Sequence, residues 1–374
     1  MNDSAKNNSG SDRPEENRPA APAQSTAADT APPEEAKFDR RGILIAGGTV
    51  AIAAAVGAVA YPKLRRAADG VSPVFIAKNQ NYDGPLAKTI ADGLAAVGVD
   101  PLKYKGKRVL LKPNLVEPMR GSPQMTTNPA MVVACVEVFK NAGAIVSIGE
   151  APGHVRDTES ALVESRLADA LIDTKLDFAD LNYQESRFLV NAGRNSVLKG
   201  FYFPQSVAEA DLIVSMPKLK THHWVGITVS LKNLYGTLPG NKYGWPKNVL
   251  HHAGIPQTVV DINATLPPAI AVVDAIECME GDGPILGSSK HMGLVVVGAD
   301  CLAVDATCAR MIGLEPTLVS YLDIARKTGL GQIDDGYIVQ RGEAWKPLFS
   351  PFKVLDRPHL RQLQTKDASG IVTS

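Results

Sequence analysis

The feature that most constrains this chain is a set of short, almost uninterrupted apolar runs, each closing on charged or amide side chains. Five stand out: RVLLKPNLV (108–116), AIVSIGE (144–150), ADLIVSM (210–216), AIAVVDAIECMEG (269–281), which reads as strand then loop, and MGLVVVGAD (292–300). Strands that apolar, with no regular polar alternation, are buried on both faces. The segments between them read as helices. In TTNPAMVVACVEVFKNAGA, Asn128 suits an N-cap, Pro129 the first helical position and Gly143 the C-terminal cap. Further helical stretches are expected at 158–172, in IPQTVVDINATLP (255–267) and around 303–312. Buried strands alternating with helices predict an α/β fold, a mostly parallel β-sheet flanked by helices. RFLVNAGRNSVLKGFYFP (187–204) reads as a β-hairpin insertion. The α/β domain is expected over 71–345, followed by a loosely packed C-terminal tail over 346–374 with Pro347, Pro351 and Pro358.

The first 36 residues are a different material, Ser, Asn, Pro, Ala, Glu and Asp with almost no large apolar side chain. Such a segment cannot offset its ordering entropy, so a disordered N-terminal tail is expected. Residues 37–66 follow, with Arg40-Arg41 ahead of an uncharged Ala- and Gly-rich stretch that ends in Ala58-Val59-Ala60. This looks like a twin-arginine export signal, with Ile43 and Ile45 where Phe and Lys are usual. The expected partner is the twin-arginine translocase and the expected location periplasmic or extracytoplasmic. The 43–61 stretch is either cleaved after Ala60 or kept as a membrane anchor.

The formal net charge is zero, with 39 Lys+Arg against 39 Asp+Glu, so nothing favours nucleic acid as a partner. Four cysteines, at 135, 278, 301 and 308, contain no C-x-x-C, so the chain signals no iron–sulfur cluster of its own. P-loop, nucleophile-elbow and zinc-protease motifs are absent as well.

In open α/β sheets ligands bind beyond the carboxyl ends of the strands. There the sequence places Lys112 and Asn114, then Glu150, then Lys218, Lys220 and His222, then Asp274 and Glu277. Four strands thus deliver ionisable groups to one edge. Lys218 and Lys220, two apart in a loop, are placed to hold a carboxylate or phosphate. His222 and His223 are adjacent, so in an extended chain at most one reaches a given site. Lys232, between Leu231 and Leu234, is costly to bury unless it meets a carboxylate, an anion or a covalent partner. His222 with His251 or His252 and a carboxylate such as Asp274 would make a two-His, one-carboxylate metal site. Asp274, Glu277, Glu280 and Asp282 read as an acidic stretch in the loop after a strand. Each group also has an ordinary reading: solvated loop lysines, a structural ion pair, capping imidazoles.

The segments LLKPNLV, TNPAMVVACVEVFKNAGA, IGEAPG, ADLIVSMPKLKTH, SLKNLYG, VVDAIECMEGDGP and VGADCLAVDATCARMIGL occur in an order that resembles the domain of unknown function 362 family, over roughly Val74 to Gly336. The resemblance implies an α/β domain, in some members linked to iron–sulfur modules. A second, shorter stretch is similar to the nickel-pincer lactate racemase family. It comprises Lys232, then Leu238-Pro239-Gly240, then His251 or His252, with Ser230-Leu231 where that family has Gly-Gly.

The reading that follows is an exported enzyme whose cationic strand-end cleft binds a small anionic substrate or a metal-bearing cofactor. Lys112, Lys218 and Lys220 would hold the anion and Asn114 and Asn233 orient it. Lys232 and Glu150 would transfer protons, while His222, His251 and Asp274 are the candidate metal ligands. The alternative is a non-catalytic exported binding protein for a small anion or a redox partner.

Overall fold

The computed structural model describes residues 70–366, apart from residue 155. The expected tail over 1–36 and the export signal over 37–66 lie outside the described residues. Among those described, no helix is long and apolar enough to cross a membrane.

All five apolar runs form strands of one ten-stranded sheet. In chain order the strands are β1 (Ser72–Ala77), β2 (Arg108–Pro113), β3 (Ile145–Glu150), β4 (Phe178–Asp180), β5 (Ser186–Val190) and β6 (Gly200–Pro204). They continue as β7 (Leu212–Met216), β8 (Lys218–His222), β9 (Gly226–Thr228), β10 (Ala269–Glu280), β11 (Ser288–Gly298) and β12 (Ile338–Gly342). The spatial order is β12-β1-β11-β10-β7-β2-β3-β4; off this path β8 pairs with β10, and β9 with β8. Pairings from β10 through β7, β2 and β3 to β4 are all parallel, while β11 runs antiparallel to both β1 and β10. β5 and β6 make the separate antiparallel hairpin that the sequence announces.

The longer helices are α1 (Leu86–Ala96), α2 (Pro129–Asn141), α3 (Thr158–Glu164), α4 (Leu167–Thr174), α5 (Ile255–Thr265), α6 (Cys301–Met311) and α7 (Ser320–Lys327). Asn128 caps α2 by accepting from the Ala130 N–H, and Gly143 sits beyond its end at φ +81°. The helix expected over 158–172 is broken in two by Arg166, whose φ of 61° ends one helical register and starts another.

Strand alternation sends side chains to two cores. Val109, Leu111, Val214, Val272 and Val297 pack with α1 and α2, whereas Leu110, Ile213, Val273 and Val296 pack with α5, α6 and α7. Both faces of the sheet are therefore covered, which is why its strands read as continuous apolar runs.

Two expectations are corrected here. The acidic stretch is no loop: β10 runs unbroken through Asp274, Glu277 and Glu280, sustained by pairing with β11. The C-terminal segment, as far as it is described, is no loose tail. Phe352, Val354, Leu360 and Leu363 are buried in the α5–α7 core, and backbone bridges join Val354 to Gly281 and Gln364 to Leu314.

Candidate functional site

Period-two alternation decides which strand-end groups meet. Lys112 shares parity with Leu110, and so faces the α5–α7 side. There it meets Glu150 at the end of β3, Asn233 Oδ1 at 3.1 Å and the Pro113 carbonyl at 2.8 Å. Asp274 shares parity with Val272 and faces the opposite side. It accepts from Lys218 Nζ (2.6 Å), Tyr82 Oη (3.0 Å) and the Asn128 backbone N–H (2.9 Å). Lys218 and Asp274 therefore form a closed buried pair, and neither lines the cavity on the other side. Four strand ends were expected to converge; three do, and β10 is the exception. Glu277 also stands apart, bonded to Ser289 and His291.

The convergent groups line a cavity of about 310 Å³. Its wall carries Lys112, Lys220, Lys232 and Lys247, and His154, His222, His223 and His251. Among the described residues the one carboxylate on that wall is Glu150. Asn114, Asn233, Thr228, Trp224 and Tyr235 complete its chemistry. Lys220 lines it and Lys218 does not; between their two partners on β10, Asp274 and Met279, the pairing shifts register. The chain turns at the end of β8, so both His222 and His223 border the cavity, correcting the expectation that one would. His252 does not line it.

Hydrogen bonding separates the four lysines by role. Lys112 Nζ has three oxygen partners, and so does Lys220 Nζ: Asn114 Oδ1 (2.7 Å), the Met125 carbonyl (2.7 Å) and the Pro284 carbonyl (3.3 Å). An ammonium has three N–H donors, so both are saturated. Lys247 donates to the Ala151 and Tyr235 carbonyls, leaving one donor. Lys232 meets no oxygen acceptor among the described residues; its ammonium lies over the Tyr235 ring, 4.2 Å from the centroid. Thr228 adds a buried hydroxyl that also lacks a partner among them.

Lys232 owes its position to a one-turn helix, Ser230–Asn233, that starts where β9 ends. Asp305 on α6 accepts from the Ser230 (2.8 Å) and Leu231 (3.0 Å) backbone N–H groups and fixes that turn. Burial pushes the Asp305 carboxyl up to about 7. Three residues beyond that turn, Gly236 lies against the Lys112–Glu150 pair so closely that a Cβ would collide with both side chains. Glycine is required there for approach rather than for turn geometry.

The like charges and the burial act together on the titrations. Burial, then repulsion from Lys112, brings Lys232 down to about 8 against the pull of Glu150. Burial takes Lys247 down to about 7. Lys220 falls well below the ordinary lysine range through burial and then Lys218, and His222 well below the imidazole range through burial and then Lys232. His251 drops to about 4 for the same two reasons. His222 accepts from the Trp224 N–H at Nδ1 (3.1 Å), which leaves the proton of its neutral ring on Nε2.

The expected metal set is not assembled. His222 and His251 share the cavity, but Asp274 is spent on Lys218 across the sheet. Among the described residues no group of three or more His, Cys, Asp or Glu side chains is placed to hold a metal ion. All four cysteines are buried.

Sequence reading missed Lys247, His154 and Thr228. His154 had a signal, since it follows the end of β3 by four residues. Lys247, reached through a left-handed backbone at φ +67°, had none.

A fold of this arrangement defines the class first: an α/β protein with its polar site beyond the strand ends. The family model for the domain of unknown function DUF362 matches residues 109–310, and the chain belongs to this family. It is similar to the thylakoid-associated protein sll1697 of Synechocystis sp., at 26% identity over 268 residues, 70% of this chain and 80% of that one. Lactate racemase apoprotein from Thermoanaerobacterium thermosaccharolyticum superposes with a TM-score of 0.40 at 16% identity, over 67% of this chain and 58% of that one. The match thus spans less than two thirds of the racemase chain.

Proposed function

We propose that the protein is an enzyme that binds a small anionic substrate in the strand-end cavity. One observation carries the reading: Lys112, Lys220, Lys232 and Lys247 line a cavity of about 310 Å³ on whose wall, among the described residues, Glu150 is the one carboxylate. Several buried like charges without counter-ions are costly, and a bound anion is the ordinary means of offsetting them. The volume lies at the low end of the roughly 300–1,000 Å³ range of small-molecule sites, which suits an acid of a few carbons.

Lys112 and Lys220, saturated by protein oxygens, supply positive potential, while Lys232 and Lys247 have the spare donors that touch the ligand. Asn114 and Asn233 fix the two saturated ammonium groups and so hold the floor rigid. An amine brought down to about 8 exchanges protons near neutrality, so Lys232 is the proton-transfer group, with Glu150 on the same cavity wall. Calorimetric titration of the full chain with lactate, malonate, sulfate and inorganic phosphate tests the reading. At least one is expected to bind, and Lys232→Met is expected to weaken it at least tenfold. No binding of any of them at millimolar concentration overturns it.

A metal-bearing organic cofactor is the second reading. It is favoured by one observation: Lys232 and His251 border the same cavity. Lys232 would hold the organic part and His251 would face the metal, which would supply a redox or Lewis-acid centre. With no three-ligand set in the described chain, the cofactor must bring its metal with it. Metal analysis of protein purified from its native host checks this, an equimolar metal supporting it.

Export through the twin-arginine translocase belongs to the same proposal. Arg40, Arg41 and the apolar 43–61 stretch support it, as does the thylakoid association in the relative's name. Lysine at both 40 and 41 is expected to leave the protein in the cytoplasmic fraction.

A further inference from the structure

We propose that Lys232 captures carbonyl-bearing carboxylates, 2-oxo acids or aldehyde acids, as a Schiff base in the strand-end cavity. The inference rests on the anion-site reading and narrows it to a substrate class. Geometry singles out this lysine. Lys112 and Lys220 have every N–H directed at oxygen, and Lys247 has two so directed. An ammonium held that way keeps its proton bonded and its nitrogen blocked. Lys232 touches a Tyr235 ring face and otherwise opens on the cavity. A ring face is a weak partner for the cation and no partner at all for the free amine. Deprotonation there breaks no hydrogen bond and leaves the lone pair available.

The surroundings complete the case. Neighbouring cations and a desolvated site are what turn a lysine into a nucleophile. Burial and Lys112 bring this amine down to about 8, so near pH 8 a large share of it is neutral. Lys247 and the potential of Lys112 and Lys220 hold the carboxylate of the incoming acid. The position of Lys232 is itself fixed, since Asp305 anchors the turn that carries it.

The chemistry balances without a further reactant. The ammonium releases one proton to solvent. The neutral nitrogen attacks the carbonyl carbon, forming a C–N bond while the C=O π pair moves to oxygen. A second nitrogen proton moves to that oxygen and gives a carbinolamine. A proton from solvent then goes to the hydroxyl, the C–O bond breaks and water leaves, with the nitrogen lone pair forming the protonated imine. The sum is ammonium plus carbonyl giving iminium plus water, with no external oxidant or reductant.

The test is reductive trapping on the full chain. The protein is incubated with pyruvate or 2-oxoglutarate and cyanoborohydride, then digested and mapped by mass spectrometry. The reduced adduct is expected at Lys232, at least tenfold faster than at any surface lysine. It should accelerate as pH rises through about 8 and slow when lactate or malonate competes. Lys232→Arg is expected to abolish trapping while retaining binding of the non-carbonyl acids. Adducts spread evenly over surface lysines, or none at Lys232, overturn the proposal. If lactate and malonate bind and Lys232 stays unlabelled, the imine fails and the anion site stands. If neither class of acid binds, both fail.

Discussion

Two buried lysine–carboxylate systems lie on opposite faces of the same sheet, and they differ in balance. Lys218–Asp274 has one cation for one anion, closed by Tyr82 and the Asn128 N–H, and fully packed. Lys112–Glu150 has the same core but three further lysines around it, and a cavity. The first has nothing left to bind. The second has more lysines than carboxylates, so the fold lowers their proton affinity, and that cost is what a bound anion relieves. Burial of a charge alone therefore says little about function; burial with an uncompensated sign says more.

The largest effect that would break this comparison is at the closed pair. Asp274→Ala strands the Lys218 ammonium, and loss of roughly 3–5 kcal/mol is expected in urea unfolding. Replacing both partners, Lys218→Met with Asp274→Leu, should recover most of it. A mild single variant would mean that the closed pair is not a structural keystone. At the open system Gly236→Ala drives a methyl into the Lys112–Glu150 pair. It should lower stability by about 1–3 kcal/mol, the range for overpacking, and weaken anion binding as well. Lys232→Met sharpens the contrast in the other direction, because the Lys232 ammonium meets a ring face and no oxygen acceptor among the described residues. Removing a surplus cation should leave urea stability unchanged or raised, while the affinity for a bound anion falls roughly tenfold, about 1.4 kcal/mol.

The smallest effect is the pH dependence. Lys247 and Lys232 stand at about 7 and about 8 in the folded chain, below the ordinary lysine value near 10.5 that the unfolded chain regains. Between those limits the unfolded state binds more protons, so stability rises with pH from about 7 towards about 10. Ligand-free protein followed by urea unfolding across that window checks the sign. Lys232→Met together with Lys247→Met should flatten the rise.

Much of this was legible in the chain before any coordinates. Apolar strands without alternation fixed the covered sheet, and Asn128, Pro129 and Gly143 marked α2 from end to end. Lys112, Asn114, Glu150, Lys220, His222, Lys232, Asn233 and His251 do meet at one cavity. Lys218 and Asp274 were legible as charges at strand ends, but the side of the sheet they face depends on register, which a single residue reverses. Treating Asp274 as a loop residue concealed that parity, because the pairing that extends β10 comes from β11, distant in sequence. Lys247 was invisible for a related reason: a left-handed turn places it, and no periodicity records such a turn.

The central claim is the uncompensated positive charge of the cavity, and proton linkage measures it most directly. Calorimetric titration of the full chain at pH 8 with the tightest-binding small acid, in two buffers of different ionisation enthalpy, counts protons taken up per anion bound. An anion in the cavity raises the lysines now near 7 and 8, so uptake of roughly one proton is expected. Binding with no proton uptake, undiminished in Lys232→Met, would place the anion elsewhere and contradict the account.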